Sequence, residues 1–278
     1  MLQLLKIFTK VYECRNFTKA SELLFLSQPT ISLKIKQLEE ELQVPLFIRK
    51  GAKSIQPTPQ ADFLYEQAMT MLDIWKQTSY SIQHDSLHVA SCTIACSNTF
   101  GMYYLPSIMP IFVERFPNVE FTLTIMNSEE AVQQLQQHEA DIAFVEKPIE
   151  TAGLYKKVLF QDELVLVGQP DARQWLMREM HSGIRYFNEL YIAENNLQPQ
   201  FMYVNNSEMM RQLLVRNIGR AIMPKLSIGD LPYEKLPEKY NRNMYLITRH
   251  LDSSHPLFGI EQWIESFFQT MNVKMAEQ

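Results

Sequence analysis

A short run of polar residues between two helical patterns is the first part of this chain with the means for chemistry. Ser27 can cap a helix, because its hydroxyl accepts a hydrogen bond from a backbone N–H of the first turn. Apolar residues then repeat at helical spacing as Ile31, Ile35, Leu38 and Leu42, which predicts one buried face. The opposite face is then free to hydrogen-bond base edges in a DNA major groove. The residues predicted on or beside that free face are Gln28, Pro29, Thr30, Ser32, Leu33 and Lys36.

Four polar turns form a second group of candidate binding residues, at 97–99, 127–128, 181–183 and 205–207. In an open α/β sheet, ligands bind beyond the carboxyl ends of the strands. Free N–H groups at helix N-termini favour carboxylate, sulfate or phosphate there. The same residue types also cap helices, which is the alternative at each position. The predicted ligand contacts are Ser97, Asn98, Thr99, Asn127, Ser128, Ser182, Asn205 and Ser207, with Arg178 and Arg185 flanking the third turn.

The other reactive side chains form no catalytic pattern. Cys92 and Cys96 are spaced i, i+4, which invites a redox or metal interpretation, but no second Cys/His cluster completes a metal site. No nucleophile elbow, phosphate loop or carboxylate pair occurs. The sequence therefore predicts no enzyme, no cofactor and no metal site. A thiol-based redox switch at Cys92 and Cys96 stays open as an alternative.

The helices and hairpin before residue 58 would hold the polar residues around Ser27 to Lys36 in place. Their turn carries Lys50 and Lys53, and basic residues at a hairpin tip suit minor-groove or phosphate contacts, with a solvated turn as the alternative. The predicted elements are helices over 1–14, 18–24 and 27–42 and a hairpin over 44–56.

A long helix is predicted next, from Thr58 and Pro59 to about Gln83. Thr58 suits the N-cap and Pro59 the first helical position. Apolar or small residues alternate three and four apart along it, the spacing of a coiled-coil seam. Such a seam favours dimerisation, although a single helix can also bury it on its own domain. The seam residues are Ala61, Leu64, Ala68, Met71, Trp75, Thr78 and Ile82.

From residue 93 short apolar runs alternate with helical patterns, which predicts an α/β fold with open sheets. The absence of a signal peptide and of an apolar run near eighteen residues predicts a cytoplasmic protein. The predicted strands are 93–96, 120–126, 141–145, 163–167, 174–178, 201–204, 221–224 and 244–248. The predicted helices are 105–116, 129–138, one from 182, 207–217 and 260–271.

Charge divides between the two parts of the chain. Residues 1–58 carry nine basic and five acidic side chains, a net +4, so the remaining 17 basic and 26 acidic side chains of the full chain give −9. A basic segment that coincides with a helix-turn-helix pattern supplies the phosphate-binding charge that DNA requires.

Taken together, the first sixty residues resemble the winged helix-turn-helix of LysR-type transcriptional regulators. The resemblance implies DNA contacts at Thr18, Ser27, Gln28, Pro29, Thr30, Ser32, Leu33, Lys36, Arg49, Lys50 and Lys53. The residues that carry it are Leu4, Phe8, Val11, Asn16, Phe17, Thr18, Ala20, Leu23, Ser27 to Ser32, Ile35, Leu38, Glu39 and Leu46 to Arg49.

The phrases at 104–106, 116–119, 141–146 and 162–167 resemble the effector domain of the same family, which is similar to type 2 periplasmic binding proteins. The implied organisation is a DNA-binding domain over 1–58, a linker dimerisation helix and hinge over 59–86, and an effector-binding domain over 87–278. Within the last, subdomain I is expected at about 93–160 and 227–278, and subdomain II at about 161–226.

The implied function is transcription regulation controlled by a small anionic or amino-acid-like effector bound between the subdomains. The implied partners are double-stranded promoter DNA with a partly palindromic site, a second copy or a tetramer of the chain, and RNA polymerase, with no membrane. A solute-binding protein with a helical extension is a further alternative. Three departures from the family pattern stand out: Leu33 at a position that is often basic, a short stretch from Gly168 to Arg178, and Arg220 beside a buried strand.

Overall fold

The computed structural model describes residues 1–50, 54–83, 90–151, 153–249, 255 and 257–276. The chain divides into two compact units, Met1–Leu87 and His88–Gln278. Within the described residues no helix is long and apolar enough to cross a membrane. Lys53 lies outside the described residues, and for Arg49 and Lys50 only the backbone is described.

The first unit is three helices, a hairpin and a long helix, as the sequence predicts. Its core joins Phe8 and Val11 to Ala20 and Ile31, all fully buried. The elements are α1 Leu2–Cys14, α2 Phe17–Leu24, α3 Gln28–Leu42, β1 Phe47–Lys50, β2 Ser54–Pro57 and α4 Pro59–Gln83.

The buried stripe of α3 is one residue shorter than predicted. Ile31, Ile35 and Leu38 are buried, whereas Leu42 is 41% exposed. The reason is that α3 ends at Leu42, where Gln43 takes a left-handed conformation with a φ of 57°. Leu42 therefore lies at the end of the helix, beyond the core that the stripe covers.

The seam predicted along α4 divides into two halves. Ala61 and Ala68 are fully buried in the core of the first unit, so this half of the seam is covered by the chain's own α1. Met71, Trp75 and Ile82 are 51%, 49% and 66% exposed. Only the carboxyl-terminal half is therefore available to a partner, and the prediction of one continuous intermolecular seam was too broad.

The second unit contains two five-stranded mixed sheets. The first sheet has the order β4-β3-β5-β12-β6 and the second the order β11-β7-β10-β8-β9. The elements are β3 Ala90–Cys96, α5 Leu105–Arg115, β4 Val119–Ile125, α6 Ser128–Gln136, β5 Ile142–Val145, β6 Tyr155–Asp162, β7 Leu164–Gly168, β8 Gln174–Met177, α7 Arg185–Glu194, β9 Gln200–Tyr203, α8 Ser207–Val215, β10 Arg220–Pro224, β11 Tyr233–Lys235, β12 Arg242–Thr248 and α9 Phe258–Ala276.

The centre of the first sheet is parallel. Strand β3 pairs in parallel with both β4 and β5, and β12 returns antiparallel between β5 and β6. The carboxyl ends of β3, β4 and β5 therefore meet at one edge. Rings of Phe100 and Phe144 stack 4.2 Å apart in the core beneath that edge.

Two edge strands, β6 and β11, were not predicted. Strand β11 pairs antiparallel with β7, so the second sheet reaches Lys235 and the boundary expected at 226/227 is too early. All three β11 side chains are exposed, so no apolar alternation marks the strand. The charge of Arg220 beside its buried strand is met by Glu234 of β11, whose carboxylate accepts from Arg220 Nη2 at 2.7 Å.

A buried asparagine ties α7 to the second sheet. The Asn188 side-chain oxygen accepts from Trp175 Nε1 at 2.7 Å and from the backbone N–H of Ile222 at 2.9 Å. Its amide group donates to the carbonyls of Ile184 and Ile222. Buried polar groups with every hydrogen bond made fix one arrangement of the elements around them. Helix α7 and the loop before it are therefore held at a defined place on this sheet.

Candidate functional site

The amino-terminal end of α3 exposes a small polar surface. The Ser27 hydroxyl accepts from the Thr30 backbone N–H at 3.3 Å and lies 2.7 Å from the Thr30 hydroxyl. One turn on, Gln28 Nε2 donates to the Ser32 hydroxyl at 3.0 Å. Ser27 and Thr30 therefore hold the helix start, while exposed Gln28 keeps its side-chain oxygen and one N–H for a ligand.

Farther along α3, the free face becomes apolar and then basic. Leu33 is 65% exposed, which gives it no packing role in this unit. Lys36 is exposed and pairs weakly with exposed Glu40 at 3.5 Å. Thr18, at the start of α2, and Pro29 are also exposed. Apart from half-buried Thr30 and Ser32, the predicted DNA-contact side chains that the structure describes lie on the surface.

The residue that attaches the hairpin to α3 is Glu39, which was not among the predicted site residues. The Glu39 carboxylate accepts from the backbone N–H groups of Leu46 and Phe47, at 2.7 and 3.1 Å. Charge-assisted hydrogen bonds of this kind fix a loop strongly. Glu39 thereby fixes the position of the start of β1 relative to α3. No local signal separates it from its exposed neighbours Glu40 and Glu41.

In the second unit, Ser97 and Glu146 follow directly on the adjacent parallel strands β3 and β5. The Ser97 backbone N–H donates to the carbonyl of Phe144 at 2.8 Å, which continues the strand pairing to the edge. Both side chains are buried, at 1% and 6% exposure. The Ser97 hydroxyl and the Glu146 Oε2 atom have no hydrogen-bond partner among the described residues.

Arg242, at the start of β12, is the centre of the buried polar groups at this edge. Its guanidinium donates to Asp162 at 2.9 Å, to the Thr99 hydroxyl at 2.8 Å and, at 3.4 Å, to Glu146 Oε1. Asp162 also accepts from the Tyr104 hydroxyl at 2.7 Å. Thr99 was predicted as a ligand contact, but in this structure its hydroxyl oxygen already serves Arg242. Asp162, Glu146 and Arg242 were not among the predicted site residues.

The turn after β4 is a complete capping box. The Asn127 side chain accepts from the Glu130 N–H at 2.9 Å, and the Glu130 carboxylate accepts from the Asn127 N–H at 3.2 Å. Ser128 is buried in the first turn of α6. The amino end of this helix is therefore satisfied by its own residues, and it already carries acidic side chains against the helix dipole.

The second sheet contributes Arg178 and the residues around it. Buried Arg178 donates to both oxygens of Glu179, at 2.7 and 2.8 Å, and to the Ser207 hydroxyl. The N-cap of α8 is Asn206, which accepts from the Met209 N–H at 2.9 Å, while Asn205 is exposed. The prediction thus named the two neighbours of the actual cap.

Residues from both sheets meet at this edge. A Cβ atom on Gly183 would lie 2.8 Å from Glu146 Cγ, so the glycine backbone packs directly on the acid. Half-buried Ser182 precedes it, and His181 Nδ1 lies 3.1 Å from Glu129 Oε2. We use the name effector cleft for the buried group formed at this edge by Ser97, Thr99, Glu146, Gly183 and Arg242.

Tyr103 lies on the π-helical turn Phe100–Tyr104, near the start of α8. Burial, and after it the negative charge of Glu208, raise the pKa of the Tyr103 hydroxyl above its usual value. Its oxygen is buried without a well-formed hydrogen bond in the described part of the chain. The hydroxyl therefore stays protonated near neutral pH and remains a donor.

The cysteine geometry gives little support to the redox alternative. Cys92 and Cys96 are both fully buried on β3. Burial, assisted by the charge of Glu146, raises the pKa of the Cys96 thiol well above its ordinary value. Because the thiolate is the reactive form, such a thiol is inert. No group of three or more metal-ligating side chains occurs in the residues that the structure describes.

Comparison with known proteins identifies the family. A family model described as "LysR substrate binding domain" matches residues 87–271, and one described as "Bacterial regulatory helix-turn-helix protein, lysR family" matches residues 2–62. The chain belongs to the LysR family. It is a LysR-type transcription regulator with a DNA-binding helix-turn-helix and a substrate-binding domain.

Relatives and solved structures agree with this assignment. The chain is 29% identical over 238 residues to the HTH-type transcriptional regulator CysL of Bacillus subtilis (strain 168), covering 80% of this chain and 79% of the relative. A full-length OxyR variant of Pseudomonas aeruginosa has the same fold, with a TM-score of 0.63, 18% identity and coverage of 97% and 94%. Full-length CbnR, solved in complex with its target DNA, gives a TM-score of 0.57 at 17% identity, with coverage of 96% and 99%.

Proposed function

We propose that this LysR-type regulator binds a partly palindromic promoter site as a homodimer or homotetramer and responds to a small effector held in the effector cleft. The single observation that carries the proposal is the pair of buried, unpartnered polar atoms on Ser97 and Glu146. Unsatisfied buried polar groups are costly, and a ligand that bonds to them would remove this cost. The first unit reads the DNA and the second senses the effector.

For DNA contact, the exposed face of α3 supports base readout by Gln28 and Ser32. Exposed Leu33 suits an apolar contact with a thymine methyl group. Lys36 would contact a phosphate. Thr18, Ser27, Pro29 and Thr30 complete the proposed contact set on α2 and at the start of α3. Arg49, Lys50 and Lys53 complete the proposed set at the hairpin.

For assembly, the exposed half of the α4 seam supports pairing with a second copy. Met71, Trp75 and Ile82 follow one another at spacings of four and seven residues on one helix and stay about half exposed in the single chain. Burying them between two helices would remove this apolar surface from water. A two-fold dimer then matches a partly palindromic site.

For the effector, the cleft supports a small anionic or amino-acid-like molecule. The proposed contacts are Ser97, Asn98, Thr99, Asn127, Ser128, Ser182, Asn205 and Ser207, and Glu146 is added to that set. Effector binding would alter promoter binding or bending. We further propose domains over 1–58, 59–86 and 87–278, action in the cytoplasm, and contact with RNA polymerase.

The test is DNA footprinting with the purified full chain. We expect a protected site upstream of a gene, with two related half-sites about one or more helical turns apart. Analytical ultracentrifugation of the same sample should give a dimer or tetramer. Weak, sequence-independent binding with no footprint upstream of any gene would contradict the proposal.

A further inference from the structure

We infer that the effector gives a hydrogen-bond donor, an N–H or O–H group, to Glu146, so that the cleft takes proton-bearing ligands and rejects fully deprotonated oxyanions. The inference rests on the proposed effector site and names the ligand class that this site selects. It follows from the surroundings of one carboxylate, which leave a single acceptor atom unmatched.

Only one of the two carboxylate oxygens of Glu146 has a hydrogen-bond partner. Its Oε1 atom faces Arg242 Nη1 at 3.4 Å, a long contact, and its Oε2 atom has no partner among the described residues. The side chain is 6% exposed, so bulk water does not compensate. A buried carboxylate oxygen with no donor is costly, and a ligand donor would remove that cost.

Arg242 does not supply the hydrogen-bond donor that Glu146 Oε2 lacks. Its guanidinium makes shorter hydrogen bonds to Asp162, at 2.9 Å, and to Thr99, at 2.8 Å. Two buried carboxylates therefore share one guanidinium, and the formal charge of Asp162, Glu146 and Arg242 together is −1. A net negative group in a low-dielectric space favours a ligand that points a hydrogen-bond donor at it over one that brings only acceptor oxygens.

The cations on the neighbouring turns already have partners. Lys147 pairs with Glu129, and Arg178 pairs with Glu179 through two hydrogen bonds. From the side of the second sheet, the backbone of Gly183 covers Glu146, and a Cβ there would lie only 3.2 Å from Oε1. At the end of the neighbouring parallel strand β3, the Ser97 hydroxyl is a second buried polar group without a partner among the described residues.

The ligand chemistry follows from what each atom can do. An ionised carboxylate only accepts hydrogen bonds, whereas a serine hydroxyl both donates and accepts. The cleft therefore matches a molecule with a donor for Glu146 next to an oxygen for Ser97. The ammonium and carboxylate groups of an amino acid meet this requirement, and so does hydrogen phosphate, which keeps one P–OH group. Sulfate, which has no proton at neutral pH, does not.

Thermal unfolding of the full chain with separate probes tests the inference and distinguishes the two sources of the donor. The probes are the twenty amino acids one at a time, inorganic phosphate at pH 7, and sulfate, all at one ionic strength. We expect at least one amino acid or phosphate to raise the Tm of the wild type, and sulfate to leave it unchanged. Glu146→Gln should weaken the binding of the stabilising probe by about tenfold or more, because the charged acceptor is lost.

Two further variants keep this result interpretable. Glu150→Gln makes the same charge change at an exposed site four residues away, and it should bind the probe as the wild type does. Ser97→Ala removes the other unpartnered atom, and it should weaken every cleft ligand whether or not that ligand carries a proton. If Glu146→Gln fails to fold, the comparison of sulfate with the donor-bearing probes in the wild type still tests the donor requirement.

Three outcomes would overturn the inference: sulfate stabilises the wild type as well as the donor-bearing probes do, Glu146→Gln binds the probe unchanged, or no donor-bearing probe stabilises the wild type. If sulfate binds and Ser97→Ala weakens it, the effector site stands and only the donor requirement fails. If a probe binds with these mutational effects but never changes the DNA footprint, the donor requirement stands and the proposed regulation fails.

Discussion

The DNA-reading face of α3 and the effector cleft are built in opposite ways. On α3, the polar side chains are mostly exposed and bond within four residues of one another, as Gln28 does with Ser32. In the cleft, the polar groups are buried and come from distant parts of the chain, since Thr99 and Arg242 are 143 residues apart. The first surface is therefore a property of one helix, and the second exists only when distant strands of the first sheet are assembled.

Loss of Arg242 should break the cleft with the largest effect. Arg242→Met leaves Asp162 and Glu146 buried without their cation, and we expect a loss of about 3–5 kcal/mol in the free energy of unfolding. Urea unfolding of the full chain measures it. Arg185→Met, which removes a cation paired with exposed Glu189, should cost less than about 1 kcal/mol. Equal losses in the two variants would contradict a central role for Arg242.

A change in the exposed half of the α4 seam should have the next largest effect. It is smaller than that of Arg242 because it alters a surface rather than a buried charge. Trp75→Ser removes a half-exposed aromatic ring, and we expect the dimer dissociation constant to rise by about tenfold or more. Sedimentation equilibrium measures that constant. Lys76→Ser on the same turn is the matched control and should leave it unchanged. An unaltered dimer in Trp75→Ser would place the interface elsewhere.

The attachment of the hairpin to α3 sharpens the picture of the DNA-reading region. Glu39→Ala removes two charge-assisted hydrogen bonds to Leu46 and Phe47, so we expect a loss of about 1–3 kcal/mol in stability and weaker DNA binding. Urea unfolding and gel-shift titration measure the two effects. Glu41→Ala, on the exposed side of α3, should change neither. Wild-type DNA affinity in Glu39→Ala would show that the attachment of the hairpin to α3 does not contribute to DNA binding.

Base readout and phosphate contact should separate on α3 itself. Gln28→Ala or Ser32→Ala should cost roughly 1–3 kcal/mol on the specific site and little on random DNA. Lys36→Ala, and Lys50→Ala at the hairpin, should weaken all sequences alike and flatten the salt dependence. Competition gel shifts at several salt concentrations provide the comparison. Equal losses on specific and random DNA for Gln28→Ala would contradict base readout.

The smallest effect is expected at the buried thiols. Because the pKa of Cys96 is raised, the thiol stays protonated at neutral pH and becomes reactive only in more alkaline solution. Cys96→Ala should therefore leave the DNA footprint unchanged with and without peroxide. A peroxide-dependent footprint in the wild type that disappears in Cys96→Ala would restore the redox alternative.

The same contrast explains how far the sequence could predict the molecule. The cap at Ser27, the stripe from Ile31 to Leu38 and the start of α4 at Thr58 follow from interactions within a few residues, and the structure confirms them. Edge strands β6 and β11 lack strong apolar alternation, so their pairing depends on neighbours that arrive later in the chain.

The cleft was predicted only in part for a related reason. Polar turns at strand ends are visible in the sequence, and Ser97 and Thr99 lie just after the carboxyl end of β3. Glu146, Asp162 and Arg242 carry no local pattern that separates them from surface charges, and only the strand order β3-β5-β12-β6 brings them together. Their burial, rather than their residue type, identifies them.

The most direct test joins the two regions in one measurement. The footprint of the full chain on its promoter site would be recorded with and without the stabilising probe, in the wild type and in Glu146→Gln. We expect the probe to change the protected length or the cleavage pattern in the wild type, and the same probe concentration to have no effect in Glu146→Gln. Identical wild-type footprints at a saturating probe concentration, or an undiminished change in Glu146→Gln, would contradict it.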